Sequence, residues 1–433
     1  MASFKIKGGK SLSGTVTPQG AKNEALQVIS ATLLSDKKII ISNIPIITDV
    51  MCLIDILKDL GVTIKKISRN SYSFEAKEIN LSYLDTELFV KKSNKIRASV
   101  MLSGPLLGRF KKAIMCPPGG DKIGRRRLDT HFTGLSKLGG KFEFKDNHYQ
   151  ITTKKLKGSY ILLEEASVTG TANIIMAAVL ANGKTTIYNA ACEPYIQQLC
   201  EMLNNMGANI TGTGSNLINI EGVNVLNGCK HTILPDMIEI GSWIGLAAMT
   251  QSNIRIKNAS IKKLGQTLSI FKRMGIKLKI DKDDIIIKKQ NKYTIDSFIN
   301  GSILTVSDAP WPGFSPDLLS IIIVTATQAN GNILVHQKMF ESRLFFVDKL
   351  IDMGAKIILC DPHRATITGI NRKYPLKATT MTSPDIRAGI SLLIAALSAK
   401  GTSIINNIEQ IDRGYENIDG RLSKLGASIE RIE

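Results

Sequence analysis

Six segments of this chain that read as helices close on a bulky apolar residue followed by glycine, and each then runs into a short β-like stretch. The anchors are Leu60-Gly61, Leu138-Gly139, Met206-Gly207, Met274-Gly275, Met353-Gly354 and Leu425-Gly426, with 68 to 79 residues between successive glycines. A period near seventy means one supersecondary unit copied six times. Each copy opens with a helix that is apolar on nearly every side: 24–34, 98–107, 172–180, 243–249, 318–325 and 388–397. Helices without a polar face are buried all round. A polar turn, a β-branched strand, an amphipathic second helix and one or two further strands complete the unit. Glycine after the second helix fits the left-handed position that ends helices. The chain is therefore α/β, with buried helices inside a shell of sheets and outer helices.

At 433 residues the chain exceeds one core and fits two domains of about 200 residues each. A split of three copies plus three falls near Leu234-Pro235-Asp236. No apolar run approaches the ~20 residues that cross a bilayer. Met1-Ala2-Ser3-Phe4-Lys5 offers no apolar signal core, so a cytoplasmic protein is expected. Six cysteines show no regular spacing and read as reduced thiols, and five histidines show no ligand spacing, so no metal is expected. The net charge of +19 points to nucleic acid, an acidic membrane or small anionic substrates. Lysines spread through runs such as Asp284-Ile285-Ile286-Ile287-Lys288-Lys289 equally suit a solvated face. The cations that matter must be found by position.

Polar and ionisable groups recur just before the buried helices: Lys22 and Asn23 in the first copy, Arg97 in the second, Ser167 in the third, Asp236 and Glu239 in the fourth, Asp317 in the fifth, Arg387 in the sixth. The second helices add Arg126, Arg343 and Arg413, each near an acid. Ordinary capping by Ser, Thr and Asp accounts for any one of the capping residues. It does not account for Lys22, Arg97, Arg387 and Arg413, because a cation at a helix start opposes the dipole. Convergent helix N-termini with added cations make an anion site. The segment from Cys116 to His131 is a Pro/Gly loop with Arg125, Arg126 and Arg127, suited to gripping phosphate. Interleaved aromatics, which single-stranded nucleic acid would require, are missing from it.

At these residues the chain resembles the enolpyruvyl transferases, and within them the branch that uses UDP-N-acetylglucosamine. The resemblance spans the whole chain: Gly20-Ala21-Lys22-Asn23, Ile96-Arg97-Ala98-Ser99, Pro118-Gly119-Gly120 to Asp129, and Ile411-Asp412-Arg413-Gly414-Tyr415-Glu416. It implies an inside-out α/β barrel of two domains, residues 22–235 (with a mobile loop over 116–129) and residues 1–21 with 236–433, and substrate in the cleft between them. It also implies the substrates phosphoenolpyruvate and UDP-N-acetylglucosamine, no cofactor, no nucleic-acid or membrane partner, and a monomer. Lys22 and Asn23 would contact phosphoenolpyruvate, and Arg126, Arg343, Arg387 and Arg413 would clamp its phosphate and carboxylate. Arg97, Arg126, Arg127, Leu128, Asp129 and Thr130 would hold the UDP-sugar, with Ser167 and Val168 near the uridine and Met339 lining the sugar pocket. Asp317 would take the proton of the sugar 3′-hydroxyl.

The chain departs from the family pattern at Asp121, where the proton donor is usually cysteine. Asp121 is expected to be the general acid, and the protein to resist fosfomycin, which alkylates that cysteine. Its carboxyl must rise from ~3.9, against ~8.5 for a thiol, to work near neutrality; desolvation and substrate charge raise it, neighbouring arginines lower it. Cys116, five residues earlier, is not expected to replace it. Thr48 and Glu165 stand where lysines are common, and Met101 where a tryptophan is. A transferase acting on shikimate 3-phosphate is the alternative within the fold. A basic scaffold that binds RNA is the alternative outside it.

Overall fold

The computed structural model describes residues 2–120, 124, 127–145 and 147–432. The chain divides into two compact units, a first of Gly20–Gly120 with Arg126–Leu234 and a second of Met1–Gln19 with Pro235–Glu433. Each is α/β. Among the described residues the second unit holds three four-stranded sheets, and the first holds two four-stranded sheets and one of three strands.

The sheets repeat one plan. The strand after a buried helix pairs antiparallel with the inner strand of the closing hairpin, as Ile333–Val335 does with Ala365–Ile367. In three of the copies it also pairs, on its other side, parallel with a short strand that precedes the buried helix. Leu304–Ser307 lies parallel to Asn330–His336 across the helix Leu319–Ala326, and Thr380–Thr382 to Thr402–Asn406 across Ile386–Ser398. These are βαβ crossovers. The N-terminal residues complete two sheets of the second unit. Ser13–Val16 supplies the parallel partner of Asn253–Ile256, and Ser3–Lys7 is sandwiched between Thr402–Asn406 and Ser428–Ile432.

The all-round apolar helices lie at the centre of each unit. Every residue of Met237–Met249 and of Leu319–Ala326 is buried. In the second unit Met237–Met249, Leu319–Ala326 and Ile386–Ser398 each touch the other two. Their small residues set the approach: a Cβ on Gly241 would fall 2.4 Å from Leu318 and one on Gly245 2.5 Å from Ile321. The second copy differs from the expected α-helix. Arg97–Leu102 is a 3-10 turn, and the α-helix begins only at Ser103. Pro105 has no N–H to donate to Met101, so the α-helical ladder cannot run through that point.

All six anchor glycines take positive φ, between 84° and 102°. In each case the glycine N–H reaches back three residues and the next N–H five, as in Gly61 to Lys58 and Val62 to Leu57, or Gly354 to Ile351 and Ala355 to Leu350. This is the Schellman ending. The six sites differ in room. A Cβ on Gly354 meets nothing within 4 Å, whereas one on Gly275 falls 2.4 Å from the Thr294 carbonyl oxygen and 2.5 Å from its nitrogen. Gly354→Ala should therefore cost only the left-handed strain of about 1–2 kcal/mol, and Gly275→Ala at least about twice that. Urea unfolding of the two variants checks the ranking, and equal midpoints would contradict it.

Candidate active site

In the first unit Lys22, Asn23, Arg97, Arg127–Thr130, Ser167 and Val168 lie at or beside the N-terminal ends of its buried helices. Lys22 opens the helix Lys22–Ala31, is itself buried, and its Nζ sits 2.7 Å from Asp49 Oδ2. Asn23 beside it is half-buried. Gly20 lets the chain enter this helix, because a Cβ there would fall 1.8 Å from the Asn43 carbonyl oxygen. The second residue of the pair, Asp49, favours the start of its own helix Thr48–Asp59 by the dipole. It also places a carboxylate against the one buried cation of the segment.

Arg97 donates from Nη2 to the Arg127 carbonyl, 3.2 Å. Leu128 precedes the helix Asp129–Lys137, whose Asp129 lies 4.0 Å from the exposed Arg127 guanidinium. Thr130 is buried, its Oγ1 has no hydrogen-bond partner, and it lies against the start of the helix Val168–Ala178, where a Cβ on Gly170 would fall 2.6 Å from that oxygen. Ser167 Oγ accepts from the Gly170 N–H, and Val168 is half-buried. Behind them His131 accepts at Nδ1 from the Asn173 amide (2.9 Å) and lies 3.1 Å from Thr169 Oγ1 through Nε2. Burial, helped by the Arg97 charge, lowers the His131 imidazole to about 3, so it stays neutral. Asn173 also donates to the Val100 carbonyl and accepts from Gly104 N–H. This fully bonded group ties the second copy's helix start to the third's.

In the second unit Asp317 stands between two guanidinium groups, with Arg343 Nη2 2.7 Å from Oδ1 and Arg387 Nη2 3.0 Å from Oδ2. Ser315 caps its turn, and the Asp317 side chain keeps 17% exposure. Burial works to raise the Asp317 carboxyl, but the charges of Arg387 and Arg343 hold it well below the usual carboxylate range. Arg387 is fixed from its own helix start, where Asp385 accepts the Arg387 and Ala388 N–H groups. Arg343 lies over the Phe340 ring at 4.8 Å, and its Nε and Nη1 are buried without partners. Two guanidinium nitrogens held dry and unsatisfied beside a carboxylate can accept an anionic substrate. Met339 is 39% exposed. The backbone before it is pinned by Asp308, a buried carboxylate that accepts from Gln337 Nε2 (2.5 Å), from the Met339 N–H (3.1 Å) and from the Lys338 N–H. Arg413 donates to Gln410 Oε1 (2.9 Å) at the end of the turn Glu409–Asp412, which packs on the helix Ile386–Ser398.

Asp121 and Arg126 lie outside the described residues. Cys116 is buried, and burial pushes its thiol up to about 11. A thiol held protonated and out of solvent is a poor acid, nucleophile or alkylation target. Cys116→Ala is expected to keep turnover within about twofold, since the thiol only fills space there; a hundredfold loss in a folded variant would contradict it. Four side chains that support these positions carry no signal in sequence. Asp49 looks like an ordinary helix-start acid, Asn173 like an isolated polar residue of an apolar helix, His131 like one more polar residue of an amphipathic helix, and Asp308 like a loop aspartate. Each acts through a contact made only on folding. Among the described residues no group of three or more His, Cys, Asp or Glu could hold a metal ion.

A family model described as EPSP synthase (3-phosphoshikimate 1-carboxyvinyltransferase) matches residues 6–422. The chain belongs to this family. Relatives within it named UDP-N-acetylglucosamine 1-carboxyvinyltransferase include those of Bacteroides thetaiotaomicron, 61% identical, and Porphyromonas gingivalis, 60% identical, with all of each chain covered. The relative of that name from Borreliella burgdorferi is 48% identical, again over all of both chains. The family fold is seen in the enolpyruvyl transferase NikO from Streptomyces tendae (TM-score 0.87, 20% identity, 100% and 99% covered). EPSP synthase from Acinetobacter baumannii shares it at a TM-score of 0.76 and 19% identity, with both chains fully covered.

Proposed function

We propose that this chain transfers the enolpyruvyl group of phosphoenolpyruvate to the 3′-hydroxyl of UDP-N-acetylglucosamine and releases phosphate, the first committed step of peptidoglycan synthesis. The observation that carries this reading is Asp317 held between Arg343 and Arg387, a base and an anion clamp in one cluster. The full-length relatives that bear this activity as their name support it. The enzyme is taken as a cytoplasmic monomer without cofactor; among the described residues no helix is long and apolar enough to cross a membrane.

Asp121 donates a proton to the vinyl carbon of phosphoenolpyruvate, which makes its C2 electrophilic. The sugar hydroxyl adds to C2 and its proton passes to Asp317. The tetrahedral ketal then returns a methyl proton to the Asp121 carboxylate and expels phosphate, which leaves with the proton held by Asp317, so the double bond and both carboxyl groups are restored. Lys22, Asn23, Arg126, Arg343, Arg387 and Arg413 hold the phosphate and carboxylate. Arg97, Arg126, Arg127, Leu128, Asp129, Thr130, Ser167, Val168 and Met339 hold the UDP-sugar. The ion pairs of the free protein make Asp317 a weak base. The carboxylate of phosphoenolpyruvate competes for Arg343 and Arg387, so Asp317 gains basicity only when that substrate is bound. Binding order and base strength are thereby coupled.

Phosphate release from phosphoenolpyruvate, measured with each acceptor in turn, tests the reading. Release is expected with UDP-N-acetylglucosamine and not with shikimate 3-phosphate. The reverse preference would assign the reaction named in the family model's description.

A further inference from the structure

At the opposite ends of the buried helices from the site, the second unit has a cavity of about 690 Å³ with Lys10, Lys292, Arg372 and Lys400 in its wall. Its described lining contains no carboxylate. Helix C-termini carry partial negative charge, and cations beside them are commonly there to offset it. That accounts for Arg372, whose Nη1 donates to the Met249 carbonyl (3.1 Å) and whose Nη2 donates to that of Ala248. The neighbouring helix ends are satisfied without lysine: Gly9 N–H serves the Leu397 carbonyl, and Tyr293 hydroxyl that of Thr325. Lys10, Lys292 and Lys400 have no side-chain partner among the described residues. Gln328 lines the same cavity, is only 4% exposed, and its Nε2 donor has no partner. A buried amide donor without a partner destabilises the fold, and a bound acceptor would relieve that. The turn that presents Arg372 is itself strained, with Asn371 at φ 50° and Arg372 at φ 51°.

We propose that this cavity binds a phosphorylated small molecule of nucleotide size, with the three lysines on its phosphates and the Gln328 amide donating to an oxygen. Volume favours this class over a bare ion, since small-molecule sites span ~300–1,000 Å³. The exposed Tyr374 at the wall offers a ring face for a base. The site is independent of the proposed reaction, and its failure would leave that reaction standing.

Titration calorimetry with ATP as probe decides it, on wild type, on the double variant Lys292→Glu/Lys400→Glu, and on Lys154→Glu/Lys155→Glu, which makes the same charge change at exposed lysines elsewhere. Any ATP held at the active site is common to all three and cancels. Wild type is expected to bind one more ATP than the cavity variant, or to bind it at least about tenfold more tightly, as removal of two charge-assisted hydrogen bonds to phosphate requires. The control pair should match wild type, and all three should turn over equally without ATP. Equal binding in wild type and the cavity variant, or an equal drop in the control pair, would overturn the proposal.

Discussion

Asp317→Asn is expected to lower kcat for phosphate release by roughly 10²–10⁴-fold, the range for loss of a general base. The substitution keeps shape but removes the charge that Arg343 and Arg387 share at 2.7 and 3.0 Å. Two buried guanidinium groups then face each other. Breaking a buried pair by removing one partner costs on the order of 3–5 kcal/mol, and the lower end applies because the Asp317 side chain keeps 17% exposure. Lost activity could then reflect lost structure. Asp317→Asn combined with Arg343→Gln separates the two effects, since it removes the surplus charge. The double variant should regain most of the thermal stability and none of the turnover. A double variant that recovers both would make Asp317 a structural anchor. A single variant that turns over at the wild-type rate would end its role as base.

The same pair fixes a pH dependence. The Asp317 carboxyl is depressed in the folded protein, so its contribution is present above the unfolded value of ~3.9 and fades as pH falls through the folded one. The stability gap between wild type and Asp317→Asn should stay level from pH 5 to 8 and narrow below about pH 4. A gap that widens in acid would mean the carboxyl is raised.

How much of this is legible in the sequence depends on the range of the forces involved. The six helix endings are local: the glycine N–H serves the carbonyl three residues back and the next residue's N–H the carbonyl five back from itself, so an apolar residue, a glycine and a following strand suffice to announce them. The cations at Lys22, Arg97 and Arg387 are legible because they offend a local rule, the sign of the helix dipole. The meeting of Asp317 with Arg387 is half legible. They are 70 residues apart, one repeat period, so equivalent helix starts on neighbouring copies were bound to be close. The partner Arg343 follows no such rule, nor does Asp49 beside Lys22. The 3-10 turn Arg97–Leu102 could have been foreseen from Pro105. The parallel edge strands could not: Thr380–Thr382 and Tyr160–Leu162 are three residues long, too short for any alternation to register. They exist because a crossover brings them beside a longer strand.

On the proposed assignment of Asp121, wild type is expected to withstand fosfomycin and Asp121→Cys to be inactivated by a stoichiometric amount, with turnover retained to within about tenfold. Fosfomycin is an epoxide opened by a thiolate, and an aspartate carboxylate is a far weaker nucleophile toward it. Asp121→Asn keeps the size of the side chain and removes the proton, so it should lower turnover by about 10²–10⁴-fold. The endogenous thiol nearest in sequence does not confuse the test, because Cys116 is buried and pushed up to about 11. A cysteine at 121 would instead sit among Lys122, Arg125, Arg126 and Arg127 in sequence, and neighbouring cations lower a thiol toward its reactive form. The same neighbouring cations in sequence would depress an aspartate, and on the proposed mechanism the charge of bound substrate restores its proton. With Asp121 as the proposed donor, the pH profile of kcat/KM should fall on the alkaline side earlier in wild type than in Asp121→Cys. Rapid loss of wild-type activity with one equivalent of fosfomycin, or full activity in Asp121→Asn, would remove Asp121 from the mechanism.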